Sequence, residues 1–140
     1  MTYLSRDDVL KADDLEIVDV DVPEWGGIVR VRALSGTARD AYDASLVRMG
    51  TNGQPLRDRD GEPVMDITNR RAKLIVLAVV NDDGDPLFSL ADVAALGAKS
   101  GVALERVADA IERLSGMNDE AVEDAEGNSE AAPGGISVSS

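Results

Sequence analysis

One stretch constrains the fold more than any other: Leu15-Glu16-Ile17-Val18-Asp19-Val20-Asp21-Val22, then Pro23-Glu24-Trp25-Gly26-Gly27, then Ile28-Val29-Arg30-Val31-Arg32-Ala33-Leu34. Both flanking runs alternate apolar and charged residues, and a period of two is the signature of a half-buried strand. A Gly-Gly pair supplies the positive φ angles that a tight hairpin turn needs. The stretch predicts an antiparallel hairpin over 15–34, closed at Gly26-Gly27.

The charges support the pairing independently. Val18, Val20 and Val22 share one face of the first strand, with Asp19 and Asp21 on the other; Val29, Val31 and Ala33 lie opposite Arg30 and Arg32 on the second. Closure at the glycine pair sets Val22 against Val31 and Asp21 against Arg32. A two-residue shift keeps this parity, whereas a one-residue slip would place valines against charges. Cross-strand charge pairs contribute only about 0.2–1 kcal/mol each, so they fix register more than they stabilise. Trp25, the only tryptophan, sits at the turn. It either folds over the apolar face and caps the core, or stands out as an aromatic anchor for a partner.

Composition narrows the function. The 140 residues suit one domain with a modest core. Only four residues are aromatic, so that core must be built from Val, Leu, Ile and Ala. The net charge of −13, from 27 acids and 14 bases, works against binding a phosphate backbone and favours a basic or mixed-charge partner. Without histidine or cysteine, Ser-His-Asp and Cys-His catalysis, disulfides and Cys/His zinc sites are excluded. The first residues do not resemble a signal peptide, and the longest apolar run, Leu74–Val80, is far below the roughly 20 residues of a membrane span. A soluble cytoplasmic protein is expected.

The fold class expected is α+β: the N-terminal hairpin packed on a bundle of about four to five α-helices, in a domain spanning 1–125. Ser5 with Asp8 forms a capping box for a short first helix. Thr37 with Asp40 opens an amphipathic helix over about 37–49, ending before Gly50. Residues 51–66, with Gly53, Pro55, Gly61 and Pro63, read as a long mobile loop. A central helix over about 69–80 follows, although Leu74–Val80, with its three valines, also reads as a buried strand. Arg70, Arg71 and Lys73 at its start oppose the helix dipole and read as a solvated face neutralised by nearby acids. Ser89 with Asp92 opens a helix over about 89–96, and Leu104, Val107, Ala108, Ile111 and Leu114 form the stripe of another over about 102–115. Asn118 caps a last short helix through Ala125, and 126–140 read as a disordered tail. The segment 117–132 holds six acids and no base.

No catalytic, cofactor or metal site emerges. Aligning Gly61 or Gly84 with the glycine of a calcium-binding EF-hand loop leaves Leu56 or Val79 at its first position and Ile67 or Leu90 at its last. Asp19 and Asp21 could act as acid and base, but they are expected on a solvated face opposite arginines, which is a poor setting for that role. The chain is not expected to be an enzyme.

Several stretches resemble the tail assembly chaperones of long-tailed, siphovirus-type bacteriophages. They are Ser5–Ala12, Val22-Pro-Glu-Trp-Gly-Gly27, Val29-Arg-Val-Arg-Ala-Leu-Ser-Gly36, Ala72–Ala78, Leu87-Phe-Ser89, Ala95-Leu-Gly97 and Leu114-Ser-Gly116. The likeness runs over roughly residues 3–125, and the Pro-Glu-Trp-Gly-Gly turn with its Arg-x-Arg strand is the most specific part. It implies a non-catalytic assembly factor without cofactor, which coats the tape measure protein before the tail tube polymerises around it. That role belongs to the host cytoplasm and ends before the mature virion. The resemblance also implies a longer product made by ribosomal frameshifting, for which Pro133-Gly134-Gly135 is a suitable place and through which the major tail protein would be met.

Neither nucleic acid nor membrane is an expected partner, whereas a homo-oligomer is compatible with the role. Client contacts are expected at Trp25 and Ile28 on the hairpin tip, or on the Leu104, Val107 and Ile111 face, for which the ordinary reading is core. Two other functions fit less well: a structural head–tail or tail accessory protein retained in the virion, and an acidic mimic of DNA.

Overall fold

A computed structural model describes residues 2–117. Its elements are α1 (Arg6–Lys11), β1 (Ile17–Val22), β2 (Gly27–Arg32), α2 (Gly36–Ser45), α3 (Arg70–Ala78), β3 (Val79–Val80), α4 (Val93–Gly97) and α5 (Gly101–Leu114). The sheet is antiparallel throughout, in the order β1-β2-β3, and the helices make the fold mixed α+β. The short helix through Ala125 and the tail of 126–140 lie outside the described residues.

The hairpin forms where its alternation predicts, in a different register. Val22 faces Gly27 rather than Val31, and Asp21 faces Ile28 rather than Arg32. The turn is the cause. Pro23, whose ring presets φ, starts a 3-10 turn over Pro23–Trp25, and Gly26 ends it at φ +76°. Gly27 is already strand, so one glycine, not two, takes the left-handed conformation. The displacement is even, and the faces survive it: Val20, Val22 and Val31 point into the core while Asp19 pairs with Arg30 at 3.0 Å.

The core lies between this sheet, α3 and α5. Leu74, Ile75, Ile111, Val22, Val31, Val79 and Val107 are its largest fully buried side chains. Both readings of Leu74–Val80 contain part of the answer. The helix ends at Ala78, and Val79 and Val80 pair with Val31 and Arg30 as a third strand. Two consecutive β-branched residues beside an available strand edge favour the extended form over one more helical turn.

Helix caps mostly follow the expected chemistry. Ser5 and Asp8 form the reciprocal capping box, as do Ser89 and Asp92, and Ser100 Oγ accepts from Ala103 N at 3.2 Å. The α2 boundaries differ from 37–49 at both ends. Ser35, not Thr37, caps the helix by accepting from Ala38 N at 3.1 Å. At the other end, Leu46 and Arg48 leave the helix to bond Asp66 and Val64, each at 2.7 Å. The cations at the start of α3 are occupied: Arg71 pairs with Glu105, Arg70 lies 3.9 Å from Glu112, and Lys73 Nζ donates to Ser45 O at 2.9 Å.

Residues 46–66 are not the open loop their composition suggests. They form two successive hairpins whose three legs close on one another. Arg48 N donates to Val64 O, Val64 N to Leu56 O, and Leu56 N to Arg48 O, at 2.7, 2.9 and 2.9 Å. The same turn is used three times, at Asn52-Gly53-Gln54-Pro55, Asp60-Gly61-Glu62-Pro63 and Asp83-Gly84-Asp85-Pro86. In each the glycine has φ near +80° (78°, 83° and 85°). The residue after it accepts through its carbonyl from Gly50, Asp58 or Asn81, each at 2.8 Å. Proline follows opposite Met49, Arg57 and Val80, at non-hydrogen-bonded positions where its missing N–H costs nothing.

Candidate functional site

The register divides the hairpin tip between two environments. Trp25 is half-buried and packs against the core, whereas Ile28 points to the opposite face and is 67% exposed. These two residues do not form one patch. The Leu104, Val107 and Ile111 stripe lies in the core: Leu104 is 6% exposed and the other two are fully buried. That stripe packs inward because α5 lies across α3 and the sheet, so it offers no surface to a client. The chain's most regular amphipathic pattern is a structural face.

The outer face of the sheet is open instead. Ile28, Val80 and Leu87, with Asp19, Arg30, Asp82 and Asp83, line an open cleft of about 550 Å³. Val80 is 3% exposed yet stands apart from the main core cluster, so it forms the apolar floor of this cleft. Leu87, 51% exposed, reaches the site because its N–H donates to Val79 O at 3.1 Å, extending the sheet beyond β3.

The polar rim is fixed by local bonds. Asn81 Oδ1 accepts from the backbone N–H groups of Asp83 and Asp85, at 2.9 and 3.0 Å, and shapes the turn. Arg32 Nη1 donates to Gly84 O at 3.0 Å and ties that turn to β2. Asp19 by hydrogen bond and charge, and Asp82 by charge, raise the pKa of Arg30 and keep it cationic. Asp82 and Asp83 take part in none of the ion pairs found among the described residues. The turn sequence Asn-Asp-Asp-Gly-Asp-Pro was legible, but its place beside Ile28 and Asp19 depends on pairing between distant strands. The thrice-repeated Asn/Asp-Gly-x-Pro pattern was the signal that a strand follows each turn.

A second exposed apolar group lies at or beside the 46–66 arm, where Met49, Met65 and Ile67 are 53%, 54% and 68% exposed. The hairpin turn is anchored to the helical layer by the ion pair of Glu24 with Arg106. Among the described residues there is no group of three or more His, Cys, Asp or Glu side chains that could hold a metal ion, and no helix is long and apolar enough to cross a membrane.

Fold and surface together describe a small acidic α+β domain with exposed apolar side chains on its sheet and beside its arm. A family model of the phage tail assembly chaperone matches residues 11–128, and the chain belongs to that family. Among solved structures it is similar to the tail assembly chaperone of bacteriophage HK97, at 18% identity and a TM-score of 0.47, over 73% of this chain and 84% of that one. No curated protein matches the chain.

Proposed function

We propose that this tail assembly chaperone binds the tape measure protein and keeps its apolar stretches from aggregating until the tail tube forms around it. The family match over residues 11–128 carries this reading. The exposed apolar side chains of an otherwise acidic domain support it, because they supply contact area while the net charge of −13 keeps a complex soluble. Ile28 is the proposed contact at the hairpin tip, with Trp25 supporting the turn from the core side. The role is non-catalytic, is carried out in the host cytoplasm, and leaves the chain outside the mature virion.

A frameshift near Pro133-Gly134-Gly135 would add a second product reaching the major tail protein. A slippery heptamer at those codons followed by an overlapping reading frame supports it, and absence of both ends it. The chaperone reading is tested by mass spectrometry of purified virions alongside co-purification from infected cells. Association with the tape measure protein before assembly and absence from virions support it. Stoichiometric retention in the particle would make the chain a structural accessory protein instead.

A further inference from the structure

We infer that the outer sheet cleft receives a segment of the client in which apolar residues alternate closely with lysine or arginine. This inference rests on the client-binding reading above and adds the chemistry of the bound segment. Ile28 and Leu87, 67% and 51% exposed, line the cleft with the buried Val80 and supply the apolar part of a mixed polar and apolar lining. An apolar side chain laid there removes both from solvent. The rim then selects its neighbours.

Asp82 and Asp83 belong to no ion pair among the described residues, whereas Arg30 is already held by Asp19 at 3.0 Å. An incoming cation would find two carboxylates in no direct ion pair, Asp82 feeling Arg30 only at longer range; an incoming anion would find an arginine already bonded to Asp19. Asn81 and Arg32 fix the turn that carries both acids, so little ordering is required on binding. The net charge of the chain, −13, favours encounter with a basic segment in general.

The second exposed apolar group, beside the arm, does not offer the same selection. Acids and bases are interspersed there: Arg48, Arg57 and Arg59 stand among Asp58, Asp60, Glu62 and Asp66. The cleft instead brings Asp82 and Asp83, which belong to no ion pair among the described residues, together with Ile28 and Leu87. Electrostatic complementarity therefore singles out the sheet face, and the occupant is a cationic, amphipathic stretch of polypeptide.

The test uses the full chain, the intact tape measure protein and short overlapping peptides covering that protein. The variants are Ile28→Asp, the pair Asp82→Lys/Asp83→Lys, and the control pair Asp58→Lys/Asp60→Lys on the arm. All the substituted positions are exposed, and thermal melts establish that each variant is folded. The peptides that bind wild type are expected to combine net positive charge with apolar residues. Affinity is expected to fall about tenfold or more for Ile28→Asp and for the cleft charge pair, and no more than about twofold for the arm pair. It is also expected to weaken as salt is raised to about 0.5 M.

Each other outcome overturns the inference in a distinguishable way. If wild type and the cleft variants retain the intact client equally, the cleft is not the site, although the chaperone reading stands. If wild type fails to hold the client at all, that reading falls and the cleft loses its occupant with it. Peptides that bind but are acidic or uncharged contradict the stated chemistry. A change in the chain's own sedimentation on Ile28→Asp, without a change in peptide binding, makes the cleft a contact between copies of the chain.

Discussion

Asp19 and Arg30 face each other across the β1–β2 ladder, 3.0 Å apart, and their pairing records a register set by the turn rather than by the charges. Both side chains are about half exposed, at 52% and 40%, so solvent screens the pair and it adds little to stability. Gly26, at φ +76°, is the position on which the turn depends, and no atom lies within 4 Å of where a Cβ would sit. Gly26→Ala should therefore cost about 1–2 kcal/mol from backbone conformation alone, while Gly27→Ala should be nearly neutral. Urea unfolding of the two variants checks this order.

Gly97 and Asn69 are coupled by space. A Cβ on Gly97 would come within 2.3 Å of Asn69 Oδ1, and Asn69 itself is held at φ 56°. Its side chain makes no cap hydrogen bond to α3, so it can be removed without losing one. Gly97→Ala should cost about 1–3 kcal/mol alone and much less in an Asn69→Gly background, where the obstacle is gone. A double-mutant cycle by chemical denaturation measures that difference.

Ile111 and Ile28 should separate folding from binding. Ile111 is fully buried, so Ile111→Ala should destabilise by about 2–5 kcal/mol, and Ile111→Asp should prevent folding. Ile28 is 67% exposed, and Ile28→Asp should leave the melting temperature within a few degrees of wild type. Circular dichroism melts on both variants decide the matter.

Two glutamates on or near α5 should give opposite pH signatures. Glu24's own backbone N–H, and then the Arg106 guanidinium, hold its carboxyl below the usual range. A carboxyl lowered by folding contributes stability above its unfolded pKa, and that stability is lost as pH falls through its folded pKa. Burial raises Glu112, with Arg70 pulling the other way. A raised carboxyl has its relative stability below the unfolded pKa and loses it as pH rises through the folded value. Relative to wild type, Glu24→Gln should be less stable near pH 7 than near pH 3, and Glu112→Gln the reverse. Melting temperatures across that range test both signs.

Much of the local chemistry was legible in the sequence. The hairpin alternation, the Ser5/Asp8 and Ser89/Asp92 capping boxes, and the α5 stripe all depend on neighbours in sequence. Two misses were local, the hairpin register set by the Pro23–Gly26 turn and the Ser35 cap of α2, and the others depend on distant partners. Val79 and Val80 become strand because β2 offers an edge. Residues 46–66 gain order because Arg48, Leu56 and Val64 bond one another around a ring. The Leu104, Val107 and Ile111 stripe has the pattern of either core or groove, and only its packing against α3 and the sheet decides between them. The outer cleft joins Asp19, Ile28 and Asp82, which no local pattern brings together.

Co-expression of the tape measure protein with and without this chain tests the central claim most directly. The account predicts that the client is soluble only when the chain is present and that the two co-purify. A client that stays insoluble, with the chain folded and unassociated, would contradict it.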